Sequence, residues 1–325
     1  MQESDKNTDL SSDPSPPPEM PHIVVVGGIN MDLVVRTQAM PTPGQTVTGH
    51  SFSTIPGGRG ANQAVAAARC GAQVSLIGRI GSDDFGNRLV LGLQACGINT
   101  SAVLVSEAVS TGASMIIVDE NGDNAVCNTP GANALVSTED IDDQIEIISR
   151  ADVVLIQLEI PQETAAYVLQ IAQRNNTPVI FNPAPAPDQI SSVFFEADII
   201  VANLDEISCL SGEPVHDIHA AKMAGSALLA HGARVVIVTL GRRGALALTP
   251  EQMHHIPPFS TKVVDITGVG DAFCGAFAAA YARDKDIYQA TRFAAAAGAL
   301  ACGKFGAQPS MPHLCNIQKL LQRSC

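Results

Sequence analysis

Short apolar, β-branched runs recur along the chain, each stopped by glycine or a polar residue. IVVVGG (23–28) reads as a buried strand closed by a glycine pair, and its continuation INMDLVVR sets Asn30 and Asp32 just past the strand end. An Ala-rich stretch over 61–70, closed by Gly71, predicts a helix; VSLIGRI follows as a strand, then a second helix over about 84–95, ending before Gly97. From Thr138 onward helices and strands alternate. Helices are expected over 138–148, opened by Ser137 or Thr138, over 161–174 and over 218–230, with strands at 152–158, 178–182, 197–203 and 235–241.

These strands are continuously apolar, as in a mainly parallel sheet covered on both faces. The repeated βα units predict a doubly wound α/β fold flanked by helices. Two stretches break the rhythm. TVTGHSF, within 33–54, alternates weakly, and ASMIIVDENGDNAVC, within 110–127, sets two strands about an Asn121-Gly122 turn. They are expected to pair into a small separate β-sheet, a lid. Residues 1–21, with Pro14 and Pro16 to Pro18 opposing any helix, read as a disordered tail before one domain over 22–325.

Composition narrows the function. Nineteen Lys and Arg against 32 Asp and Glu give a net charge of −13, and there is no Trp, so neither a phosphate-binding surface nor a base-stacking platform for nucleic acid is expected. No apolar run is long enough to span a bilayer, and the start of the chain lacks the features of a signal peptide. The eight cysteines are widely spaced with no CxxC pair, as in a reduced, cytoplasmic protein.

Active sites of open α/β sheets form beyond the carboxyl ends of strands, and three segments suit that place. In VVDITGVGDAFCGAF a strand reaching Asp265 leads to a turn with Gly268 and Gly270, and Asp271 opens an apolar helix. The turn suits an anion such as phosphate, with Asp271 placed to take a proton; Asp271 as a plain N-cap is the other reading. In PGGRGANQAVAAA, Gly57, Gly58 and Gly60 permit close backbone approach and Asn62 can bond sugar hydroxyls, unless the segment is only a helix cap. NLDE (203–206) and TLGRRG (239–244) each follow a strand. Asn203 and Glu206 suit Mg²⁺ held through water, or Glu206 is an ordinary first-turn acid; TLGRRG either runs past a nucleotide or is a turn. His216, Asp217 and His219 read as an exposed helix start rather than a metal site.

In combination, GGINMD (27–32), GGRGANQAVAAAR (57–69), IGRIGSDDFG (77–86), QLE (157–159), NPAPAP (182–187), NLDE, TLGRRG, DITGVGD (265–271) and GAQPS (306–310) resemble the ribokinase-like (PfkB) carbohydrate kinase family, over about 23–310. The resemblance implies a doubly wound α/β domain with a β lid, and ATP-dependent phosphorylation of D-ribose at O5 to D-ribose 5-phosphate. Kinases for other sugars or nucleosides belong to the same family, and a sugar-binding homologue without catalysis is a further alternative. Carried over residue by residue, Asp271 is the general base and Gly268, Val269 and Gly270 the anion hole. Asn30, Met31, Asp32, Gly58, Arg59, Gly60, Ala61, Asn62, Glu159 and Asp271 hold the sugar. ATP lies against Asn203, Thr239, Leu240, Gly241, Arg242, Arg243, Gly244, Gly270 and Asp271. Glu206 serves Mg²⁺ through water. Asp265, with backbone oxygens at Thr267, Ala301, Lys304, Gly306 and Ser310, forms a monovalent-cation site for K⁺. A homodimer through the lid strands is also implied. Arg59 replaces a Lys common in the family, Ala295 replaces a His found in some members, and Ile266 and Val269 are bulkier than usual.

Overall fold

The computed structural model describes residues 20–323, so the tail expected over 1–21 falls almost wholly outside the described residues, as does Cys325. Thirteen strands form two sheets. The larger has nine strands in the order β13-β12-β11-β10-β9-β8-β1-β4-β5. These are β1 (His22–Val26), β4 (Gln73–Gly81), β5 (Val103–Ser106), β8 (Val153–Ile156), β9 (Val179–Phe181), β10 (Ile199–Asn203), β11 (Val235–Thr239), β12 (Ala245–Leu248) and β13 (Met253–Ile256). Seven run parallel; β12 and β13 close one edge as an antiparallel ribbon.

Successive strand residues point to opposite faces, and here both faces are buried. Ile23, Val25, Leu155, Val201 and Ile237 pack against α1 (Arg59–Arg69), α2 (Asp84–Ala95), α8 (Val269–Asp284), α9 (Ile287–Ala301) and α11 (Leu314–Arg323). Val24, Val26, Val154, Ile156 and Val238 face α5 (Gln162–Arg174), α6 (Leu204–Ser211) and α7 (Ile218–Ala230), with α3 (Thr138–Asp142) and α4 (Ile145–Ser149) at the end of that layer. A last short turn, α10 (Ala307–Ser310), joins α9 to α11. Helix α8 is buried almost all round, because its alanines and Gly275 let α1 and α9 approach closely.

The smaller sheet has the order β3-β2-β6-β7, from β2 (Asn30–Thr37), β3 (Gly49–Gly57), β6 (Gly112–Val118) and β7 (Asn124–Thr129). Its hairpin turns at Asn121-Gly122 within a five-residue loop, where the Asp119 carboxylate accepts from the N–H groups of Asn121 and Asp123.

Asn30 and Asp32 lie just past β1, as the first and third residues of β2. Three local expectations change. Strand β3 begins three residues later than TVTGHSF suggested and runs on to Gly57, paired with β2. The helix expected over 138–148 is two short helices, the first held by a Ser137–Asp140 capping box. No strand leads into Asp265: the N–H groups of Val264 and Asp265 both donate to the carbonyl of Cys302, at 2.8 and 3.2 Å. The segment is bonded to the end of a helix, not to a sheet neighbour.

Candidate active site

The chain leaves β1 for β4 on one side and returns through β8 on the other, so a crevice opens between the carboxyl ends of β1 and β8, where such sheets hold ligands. Gly28 follows β1, and Gln157 and Glu159 follow β8. Gly58, at φ 87°, caps α1 and presses against the backbone of Gly28 and Asn30, where any Cβ would collide. The first turn of α1 is thereby seated on the end of β1, with the N–H of Ala61 donating to Gly28 O at 3.0 Å.

Four carboxylates line one cavity of about 390 Å³: Asp32, Glu159, Glu206 and Asp271. Arg59 lies among them, its N–H donating to Glu159 Oε2 at 2.6 Å and its guanidinium 4.0 Å from Asp271. Burial pushes Glu159 up to about 7 against the pull of Arg59. Burial and the Asp271 charge raise Asp32 to about 6, partly offset by Ser114. Asp271 is also raised by burial, opposed by Arg59 and by the amides of Gln63 and Asn62. Asp271 is not an N-cap: that position is Gly268, in the left-handed region at φ 74°. The two Asp271 oxygens instead accept from Asn62 Nδ2 at 2.9 Å and Gln63 Nε2 at 3.0 Å. Asn62 lines the same cavity, and its Oδ1 is buried with no partner among the described residues.

A second cavity, of about 860 Å³, meets the first at Thr239, Ile266 and Gly270. Gly241, Arg242, Gly244 and Ala295 line it. Where the two meet, the N–H groups of Gly268, Gly270 and Asp271 find no acceptor among the described residues, whereas that of Val269 donates to Ile266 O at 3.3 Å. This cluster of free donors at a helix start attracts negative charge.

Not every residue singled out in the sequence reaches these cavities with its side chain. Met31, Ala61 and Leu240 are buried in the core. Arg243 turns back to donate to His216 O at 2.9 Å. Asn203 and Glu206 form a reciprocal capping box at the start of α6, and Glu206 still lines the first cavity, so cap and site coincide. Asp217 caps α7.

Asp265 accepts from the N–H and hydroxyl of Thr267 through Oδ1 and from the N–H of Gly306 through Oδ2. Burial raises its pKa, but these donors outweigh burial and lower it. Gly306 leads into α10, beyond which Arg69 donates to the carbonyls of Gln308 and Met311 at 2.8 and 2.7 Å. Carboxylate and backbone carbonyl oxygens are hard donors, the kind that suits an alkali cation better than a transition metal.

The model of the pfkB family carbohydrate kinases matches residues 20–314. The chain belongs to that family. It is 38% identical over 302 residues to a ribokinase of Bacillus subtilis, covering 93% of this chain and all of that one. To a deoxyribokinase of Salmonella typhi it is 34% identical over 293 residues, covering 90% and 96%. Among solved structures it resembles Arabidopsis thaliana ribokinase complexed with ribose and ATP, with a TM-score of 0.86, 31% identity and coverage of 94% and 99%.

Three residues of this kinase's site went unassigned in the sequence reading. Asn133 donates to Asn30 Oδ1 at 2.6 Å, Asn182 donates to Glu206 Oε2 at 3.3 Å, and Gln63 donates to Asp271. Asn182 in NPAPAP and Gln63 in GGRGANQAVAAAR are each an amide in an otherwise apolar or glycine-rich stretch, which is the signal the sequence offers.

Proposed function

We propose that this kinase transfers the γ-phosphoryl group of ATP to O5 of D-ribose, giving D-ribose 5-phosphate and ADP. The observation that carries the reading is the position of Asp271, a buried carboxylate where a sugar-sized cavity meets a nucleotide-sized one, next to backbone donors with no partner among the described residues. Ribose lies in the first cavity, its hydroxyls facing Asn30, Asp32, Asn62 and Glu159, with Arg59 beside the reacting end. Asp271 takes the O5 proton as O5 bonds to the γ-phosphorus. The bond from that phosphorus to the bridging oxygen breaks, and its electron pair leaves with ADP. The N–H groups of Gly268, Gly270 and Asp271 face the charge spread over the transferring group, where fixed donors act most strongly.

ATP occupies the second cavity, along Asn203 and the turn from Thr239 to Gly244. Mg²⁺ characteristically keeps several waters, takes few carboxylates and arrives with the phosphates. Glu206 would hold it through water, and bound Mg²⁺ neutralises phosphate charge. K⁺ would be held by Asp265 and the carbonyls of Thr267, Ala301, Lys304, Gly306 and Ser310, ordering the turn that carries the free donors. The smaller sheet is read as a lid: Asp32, Ser114, Ile116 and Val126 project from it into the sugar cavity. The seven described cysteines are unpaired, in keeping with a cytoplasmic protein.

The test is ADP release from ATP and Mg²⁺ over a panel of D-ribose, 2-deoxy-D-ribose, fructose and nucleosides, with and without K⁺, for wild type and Asp271→Asn. Preferred turnover of D-ribose that rises with K⁺ is expected, and loss of the base should lower kcat by about 10²- to 10⁴-fold. Preference for 2-deoxy-D-ribose would move the substrate, and the absence of turnover on every member would reject the kinase assignment of these residues.

A further inference from the structure

Behind the carboxylate read as the base lies a chain of buried side-chain amides that the phosphoryl-transfer chemistry above does not use. Gln63 projects from the first turns of α1 and is 0% exposed. Its Nε2 donates to Asp271 Oδ1 at 3.0 Å and to Asn182 Oδ1 at 3.1 Å, so both of its N–H bonds have acceptors. Its Oε1 accepts from Gln157 Nε2 at 2.6 Å. A primary amide can present either end to a neighbour, but a carboxylate only accepts, so a flipped Gln63 would set oxygen against oxygen at both Asp271 and Asn182. Gln157 removes that freedom by donating to the far end. It does so at a cost, because its own Oε1 is buried with no partner, a defect an apolar residue at 157 would avoid.

We propose that Gln63 is a positioning residue for phosphoryl transfer, locked by Gln157 as a one-way donor that fixes the rotamer of Asp271 and keeps it charged. The inference rests on the reading of Asp271 as the base. With Oδ1 tied to Gln63 and Oδ2 to Asn62, the carboxylate cannot swing toward Arg59, 4.0 Å away, and stays turned into the cavity. Asn62 belongs to the sugar-facing surface, whereas Gln63 touches only protein: it reaches the site directly through Asp271 and, at one remove, through Asn182, which donates to Glu206. The charged and titratable groups facing Asp271 are Arg59 on α1, Asp32 on β2, Glu159 after β8, Glu206 on α6 and Cys274 one turn along α8. Arg59 favours its ionisation, burial opposes it, and the amides of Gln63 and Asn62 help to hold the charge, so losing one donor should be felt in its titration.

The experiment compares wild type, Gln63→Leu and Gln157→Leu by steady-state kinetics with D-ribose across pH, alongside thermal unfolding. For Gln63→Leu, a charge-assisted hydrogen bond lost from a buried base should lower kcat by about tenfold to a hundredfold, with KM for ribose nearly unchanged. The acid limb of the kcat profile should move upward by about one pH unit. Gln157→Leu frees the Gln63 amide to rotate and should shift the limb the same way by less. A merely structural role would lower the unfolding temperature and leave the limb in place. An unmoved limb in folded Gln63→Leu overturns the inference, as does a rise in KM at constant kcat; if that variant does not fold, an unmoved limb in Gln157→Leu decides it. Wild type that turns over no sugar would instead reject the reading of Asp271, a different failure.

Discussion

At the scale of single residues, the site concentrates negative charge where little solvent reaches it. Glu159 shows the consequence for stability. Its carboxyl ionises near 4.5 in an unfolded chain and is pushed up to about 7 by burial, so between those values the folded protein binds more protons than the unfolded one. Stability must then fall as pH rises through that window, the reverse of a salt-bridged carboxylate. Removing the charge removes this group's share of the slope. Between about pH 5 and pH 8 Glu159→Gln should lose less unfolding free energy than wild type, by on the order of 3 kcal/mol, while the buried Asp32 and Asp271 still contribute to both proteins. Urea unfolding at the two pH values checks this, and parallel losses in the two proteins would refute it. The variant should also bind ribose more weakly, since Glu159 lines the sugar cavity. Here the site trades stability for a carboxylate that accepts hydroxyl donors.

At the scale of elements, the catalytic geometry depends on how closely α1 and α8 approach. Gly275 is one turn beyond Asp271, and a Cβ there would fall inside contact distance of the Gln63 carbonyl and the Ala66 side chain. Helix propensity alone favours Ala over Gly by about 1 kcal/mol, whereas overpacking typically costs about 1–3 kcal/mol. Gly275→Ala should therefore destabilise the protein and lower kcat more than it raises KM, by moving Asp271 from Gln63 and Asn62. A variant more stable in urea, with unchanged kcat, would show the helix contact to be loose. Pattern reading finds α2, α7 and the central parallel strands to within two residues, because runs such as Val153–Ile156 are buried on both faces and the burial is written in their composition; it misses the parallel edge strand β5, whose Leu104 and Val105 are exposed. It failed at 263–265, where an apolar pair bonds to a helix end, since periodicity does not reveal where backbone hydrogen bonds go. Asp271, Asn62 and the glycine turns were legible as local motifs. Asn133 and the Gln157–Gln63–Asn182 chain were not, because amides brought together from distant elements leave no spacing to read.

At the scale of the whole molecule, the smaller sheet has one face too many. Its inner face carries Asp32, Ser114, Ile116 and Val126 over the sugar cavity. On the other face the register sets Val35 opposite both Phe52 and Ile117, and Met115 opposite Leu33 and Cys127. Close to the large sheet this outer face has cover, with Arg88 of α2 donating to Thr54 at 3.0 Å. Farther out Phe52 is 64% exposed and Met115 62% exposed, on a sheet whose edge strand β7 is exposed throughout. A continuous apolar sheet face of this kind usually marks an association surface, and a self-complementary pairing about a two-fold axis would cover both copies at once. A homodimer through these strands is the arrangement the exposure favours. Light scattering at micromolar concentration should give twice the chain mass for wild type, and Met115→Lys, placing a charge mid-face, should give the single-chain mass. Because Ser114 and Ile116 flank that position on the inner face, the monomeric variant should also show a raised KM for ribose at nearly constant kcat. Wild type that runs as a monomer, or a Met115→Lys protein that still dimerises, would put the association elsewhere on the surface.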